Sequence, residues 1–145
     1  MGHNTASAVI SFAERLEDRS AAYYRDLAER FPKESEVFLS LAKGCEKTKK
    51  LVVQTYRETV SDALETGYSF EGLDLSDYEI EETLLEDLDY GEALKKAREL
   101  EGRAADFYQD VANRSRSLLA TIAVAFNSAA KRRKKHKQKL ESLVN

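Results

Sequence analysis

Four stretches of the chain place their core-type residues at steps of three and four, the spacing that keeps one face of an α-helix buried. In the first, Ile10, Ala13, Glu17, Ser20, Tyr24, Leu27 and Phe31 recur in this way before Pro32, which predicts a helix over residues 6 to 31. Phe38, Leu41, Cys45, Thr48, Val52 and Thr55 predict a second, from about residue 34 to 65, with Gly67 as its stop. Leu94, Ala97, Glu101, Ala104, Tyr108 and Val111 predict a third that opens after Gly91. Phe126, Ala129, Ala130, Arg133, His136, Leu140 and Leu143 predict a fourth that starts near Ser115 or Ser117. Four long amphipathic helices pack as an all-α bundle, here one domain over residues 1 to 145.

The links choose its topology. Helices 1 and 2 are separated by a few residues around Pro32, and helices 3 and 4 by a short turn at residues 113 to 117, so each pair is expected to be an antiparallel hairpin. The middle link, residues 66 to 90, is long enough to run the length of the bundle, and residues 77 to 87 are expected to form a short helix on its outside. An internal repeat supports the pairing. Residues 16 to 30 and 100 to 114 agree at eight of fifteen positions, and the agreement includes Glu17 with Glu101 and Tyr24 with Tyr108. Both glutamates fall on stripes that the surrounding spacing marks as buried.

Composition narrows the class. With 42% hydrophobic and 34% charged residues, one Pro and no Trp, the chain has a globular balance and enough length to build a core without disulfides. The longest uncharged apolar run, residues 117 to 130, is too short and too polar for a membrane span. A start that lacks a basic, apolar signal segment, together with the single Cys45, makes the cytoplasm the expected location. The net charge of −3 hides an asymmetry: residues 111 to 145 carry +8 and the remainder −11. Ten acids and no base lie between Glu71 and Glu92. The basic stretch at residues 131 to 137 reads as a polyanion or nucleic-acid patch through Lys131, Arg132, Lys134 and Lys135, or as a solvated face that complements the helix dipole or pairs with the acidic link.

The repeated segments, each with a Glu seven residues before the second aromatic of a pair (Tyr23-Tyr24, Phe107-Tyr108), resemble the ferritin-like superfamily and within it the rubrerythrin-type proteins. The resemblance covers nearly the whole chain and implies two hairpins joined by a long crossover. It also implies a di-iron centre of four carboxylates and two imidazoles, with Glu-x-x-His on helices 2 and 4, that activates dioxygen or peroxide. This sequence departs from that pattern. Cys45 and Thr48 stand where helix 2 would carry Glu and His, and Arg133 stands for the glutamate of helix 4 while His136 keeps its place. Glu46 is no substitute, because a shift of one residue turns it about 100° around the helix.

Of six ligands, Glu17, Glu101 and His136 remain. One reading has the Arg133 guanidinium neutralise Glu17 or Glu101 through forked hydrogen bonds, with Cys45 as a small core residue and the Tyr24 and Tyr108 hydroxyls bonded to neighbouring carboxylates. It expects no cofactor, no catalysis and a structural or interaction role. The rival keeps one ion, iron or another divalent metal, on Glu17, Glu101 and His136, with Cys45 as an optional addition, in a redox protein of the rubrerythrin oxidase or peroxidase type. Polyanion binding through helix 4 is a third. Ferritin-like domains dimerise through helix faces, so the resemblance implies a homodimer.

Overall fold

The computed structural model describes residues 5–59, 70, 72–79, 88–115 and 120–144. Four helices account for most of them: α1 (Ala6–Arg30), α2 (Ser35–Thr59), α3 (Tyr90–Arg114) and α4 (Ala120–Glu141). The described residues contain no β-strand. The ends follow local chemistry. Thr5 caps α1 by accepting from the Ala8 N–H at 3.1 Å, and Pro32 converts the chain after Arg30 into a single 3-10 turn, Pro32–Glu34, before α2 begins.

The start of α3 is set by a reciprocal cap. The Asp89 carboxylate accepts from the Glu92 N–H at 2.8 Å, and the Glu92 carboxylate accepts from the Asp89 N–H at 3.2 Å. The helix therefore opens at Tyr90, ahead of Gly91, and the glycine that the sequence suggested as a boundary lies inside the first turn. The expected end of helix 2 beyond residue 59 and the expected start of helix 4 before residue 120 lie outside the described residues. The expected short helix at 77 to 87 is corrected in its described part. A 3-10 turn covers Leu75–Tyr78, capped by Asp74, and Glu79 is extended at φ −63° and ψ 137°; residues 80 to 87 lie outside the described residues.

Cross-helix pairs give the directions of the elements. Asp18 pairs with Lys49 at 2.9 Å and Arg25 with Glu46, so α2 runs against α1. Gln109 donates to Asn127 at 2.9 Å and His136 lies beside Glu101, so α4 runs against α3. Tyr24 donates to Glu101 and Tyr108 to Glu17, which sets α3 against α1 as well. The start of α3 consequently meets the end of α1, where the Phe31 and Tyr90 rings stand 5.1 Å apart. Between α2 and α3, the described link residues run along α3: the Tyr78 hydroxyl donates to Asp110 at 2.7 Å, and Arg103 donates to the Glu79 carbonyl at 3.0 Å.

The core is one cluster built from the inward stripes of all four helices. Tyr23, Tyr24, Tyr108, Phe38, Phe107, Phe126, Leu27, Leu41 and Leu140 are its largest fully buried hydrophobic side chains, and burial of each Leu or Phe contributes about 1.5–3 kcal/mol. Alanines at 13, 21, 93, 97, 104, 105, 129 and 130 are buried beside them and let the helices approach closely. Among the described residues no helix is long and apolar enough to cross a membrane. Set within this apolar interior is a group of polar side chains, and the four helices position it.

Candidate functional site

Glu17 from α1, Glu101 from α3 and Arg133 from α4 are completely or almost completely shielded from solvent, as are Ser20, Cys45 and Thr48. Charges in a medium that cannot hydrate them persist only when paired. Arg133 supplies the pairing. Its Nη2 donates to Glu17 Oε1 at 2.9 Å and its Nε to Oε2 at 3.2 Å, a two-point fork on the carboxylate of α1. The same Nη2 donates to the Ser20 hydroxyl at 2.9 Å, and that hydroxyl donates in turn to the Leu16 carbonyl one turn back. On the other side Arg133 Nη1 stands 2.9 Å from Glu101 Oε2.

The internal repeat produces a crossed pair of hydroxyl contacts. Tyr24 of the first copy donates to Glu101 of the second, and Tyr108 of the second donates to Glu17 of the first. A Glu and a Tyr seven residues apart lie two turns along the same helix face. When two such helices run antiparallel, each Tyr reaches the partner's Glu. Burial, reinforced by the adjacent carboxylates, pushes both phenols far above their ordinary range, so they stay protonated donors.

The two carboxylates are not equivalent. Glu101 Oε2 collects Tyr24, Arg133 and, at 3.4 Å, His136 Nδ1, whereas Glu101 Oε1 is buried without any hydrogen-bond partner, and so is His136 Nδ1. Burial raises the Glu101 carboxyl, but Arg133, His136 and Tyr24 outweigh it and hold the group below the usual carboxylate range. For Glu17, burial prevails over the opposing pull of Arg133 and Tyr108, and the nearby Glu101 charge adds to the rise. One guanidinium faces two acids, so a single negative charge is left over.

Arg133 loses hydration on burial, but Cys45, Glu101 and Glu17 more than restore its charged form. The Cys45 thiol is pushed well up, first by burial and then by both glutamates against the pull of Arg133. Thr48 turns its hydroxyl back onto the Gly44 carbonyl at 2.9 Å and spends its donor within α2. Glu46 faces outward and pairs with Arg25. His136 retains 14% side-chain exposure, so one edge of its ring reaches water. Lys131, Lys134 and Lys135 are exposed and Arg132 half-buried on the outer faces of α4, while Arg133 alone of that run turns fully inward.

These residues do not fit a pair of metal ions. The guanidinium occupies the space between the two glutamates, and a permanent cation there repels a second one. Thr48 offers helix 2 no imidazole. Nor do Glu17, Glu101 and His136 form a three-ligand group: among the described residues the ligand atoms that gather within 4.8 Å of one another belong to Cys45, Glu101 and His136. Two contributors carried no clear signal in the sequence. Ser20 lies on the buried stripe one turn after Glu17 but gave no sign that it would join the guanidinium. Gly44 makes room for an imidazole, since a Cβ there would stand 2.5 Å from His136 Nε2.

No protein-family model, curated protein or solved structure matches this chain.

Proposed function

We propose that this chain is a non-enzymatic structural or interaction protein, a ferritin-like bundle of the rubrerythrin type in which an ion-paired arginine replaces the two metal ions. Two hairpins joined by a crossover are the arrangement this reading assigns to the helices, and the opposed directions of the helix pairs support it. The observation that carries the proposal is the fully buried Arg133 bonded to Glu17 by a fork and to Glu101 by proximity. Oxidase or peroxidase chemistry of the di-iron type would need four carboxylates and two imidazoles to hold two ions. The same volume holds a guanidinium whose Nε and Nη2 donate to Glu17 and Ser20 and whose Nη1 stands 2.9 Å from Glu101 Oε2.

In this role Arg133 fastens α4 to α1 and α3 at once. Replacement by Met keeps length and removes charge, so it leaves two buried carboxylates facing each other without a cation. Loss of one side of a buried pair costs about 3–5 kcal/mol. Urea unfolding of the Arg133→Met variant is expected to show a loss of that size with no change in metal content from the wild type. An unchanged midpoint would sink the proposal. So would two iron or manganese ions per chain in protein purified without chelator.

A further inference from the structure

The polar core has a second part that the arginine does not satisfy, at Glu101 Oε1 and His136 Nδ1. Three chemically different ligand atoms converge there from three helices: a thiol from Cys45 on α2, a carboxylate from Glu101 on α3 and an imidazole from His136 on α4, all within 4.8 Å of one another. We infer that this triad is a mononuclear site for a thiophilic divalent cation of the zinc type, held by Cys45 Sγ, Glu101 Oε1 and His136 Nδ1. The inference goes beyond the arginine-centred core and does not rest on it.

Several independent observations point at a ligand. Glu101 is fully buried, and its Oε1 accepts no hydrogen bond even though Oε2 of the same group is crowded by Tyr24 and Arg133. An unpartnered carboxylate oxygen in a protein interior costs about 1–3 kcal/mol or more. His136 Nδ1 is also buried without a hydrogen-bond partner, 3.4 Å from Glu101 Oε2. The ring is seated against Gly44, where any larger residue would strike Nε2 and Cε1 at 2.5 and 2.8 Å. A helix-interior glycine costs about 1 kcal/mol relative to alanine. Here it lets the imidazole lie against α2 beside Cys45.

The donor set suits the ion. Zinc takes thiolate, imidazole and carboxylate at about 2.0–2.3 Å, which sets neighbouring ligand atoms about 3.3–3.7 Å apart, and three protein ligands with one open position are sufficient. The triad, with its ligand atoms within 4.8 Å of one another, therefore has only a short distance to close on binding. Charge also balances. With both carboxyl groups ionised, Glu17, Glu101 and Arg133 leave one negative charge in the core, and when the ion displaces the Cys45 S–H proton to solvent, the thiolate supplies a second. A divalent cation neutralises both. The Glu17 carboxylate, held by the Arg133 fork, offsets the repulsion between guanidinium and metal. The exposed edge of His136 provides the way in.

The test uses cobalt as a spectroscopic stand-in, titrated into the full-length chain after chelator treatment. One Co²⁺ per chain, with thiolate-to-cobalt charge-transfer absorption in the near ultraviolet and displacement by one equivalent of Zn²⁺, is the expected result. Because Cys45 is the one cysteine of the chain, the Cys45→Ala variant should lose that absorption and bind at least tenfold more weakly. His136→Gln, a partly exposed position with little risk to folding, should also weaken binding at least tenfold. No charge-transfer band in the wild type, or unchanged affinity in His136→Gln, overturns the assignment. Neither result bears on the urea stability of Arg133→Met, so the two proposals fail separately.

Discussion

Gly44 shows how one absent methyl group conditions the site. Its Cβ position is claimed by the His136 ring, so substitution brings two opposed terms: about 1 kcal/mol of helix propensity gained, and a collision between α2 and the imidazole. The collision should dominate in the wild type, because rotation of the ring away breaks its approach to Glu101. Gly44→Ala is therefore expected to destabilise the native chain and to stabilise the His136→Ala variant, a reversal of sign that a thermodynamic cycle of four unfolding curves measures directly. Spacing alone located Glu17, Glu101 and Arg133 on buried stripes, since a helix repeats its faces whatever surrounds it. The parts that Gly44 and Ser20 play were not legible in that way. Their roles depend on which atom of another helix arrives opposite them, and no single-helix periodicity encodes that.

At the level of the elements, capping chemistry outranked the breaker residues. The start of α3 belongs to the Asp89 and Glu92 cap, and Gly91 sits one residue inside it, within the first turn. Asp89→Ala should cost about 1 kcal/mol by removal of this cap, while Gly91→Ala should cost nothing or stabilise slightly; amide exchange at the first turn of α3 distinguishes them. The long links were the least legible part of the fold. Between α2 and α3 the described residues owe their positions to contacts such as Tyr78 with Asp110 and Arg103 with the Glu79 carbonyl. A 3-10 turn at Leu75–Tyr78 leaves no periodic apolar stripe to read. Gly72, which no periodicity marked, has a φ of 81° that favours glycine.

For the molecule as a whole, the split between the two carboxylates fixes how the core responds to acid. Glu101 has its folded pKa below the ordinary 4.5, so its contribution is present above that value and is lost as pH falls through the lowered one. Glu17 has its folded pKa above 4.5, so protonation favours the native state and stability rises as pH falls toward that value. Denaturant unfolding across a pH series should show the wild type gaining on a Glu17→Gln variant as pH falls toward 4.5, then losing ground against Glu101→Gln below it. The crossed tyrosines have a different consequence. In a chain made of two similar helix pairs, the natural error is for like to pair with like between two copies, as in swapped assemblies. Packing α1 and α2 of one chain on the same elements of another would bring two Glu17 carboxylates together with no cation. Packing α3 and α4 on their own copy would force two Arg133 guanidiniums into the volume built for one. By placing its cation in only one half, the sequence penalises both mistaken pairings and leaves the correct one as the assembly that closes.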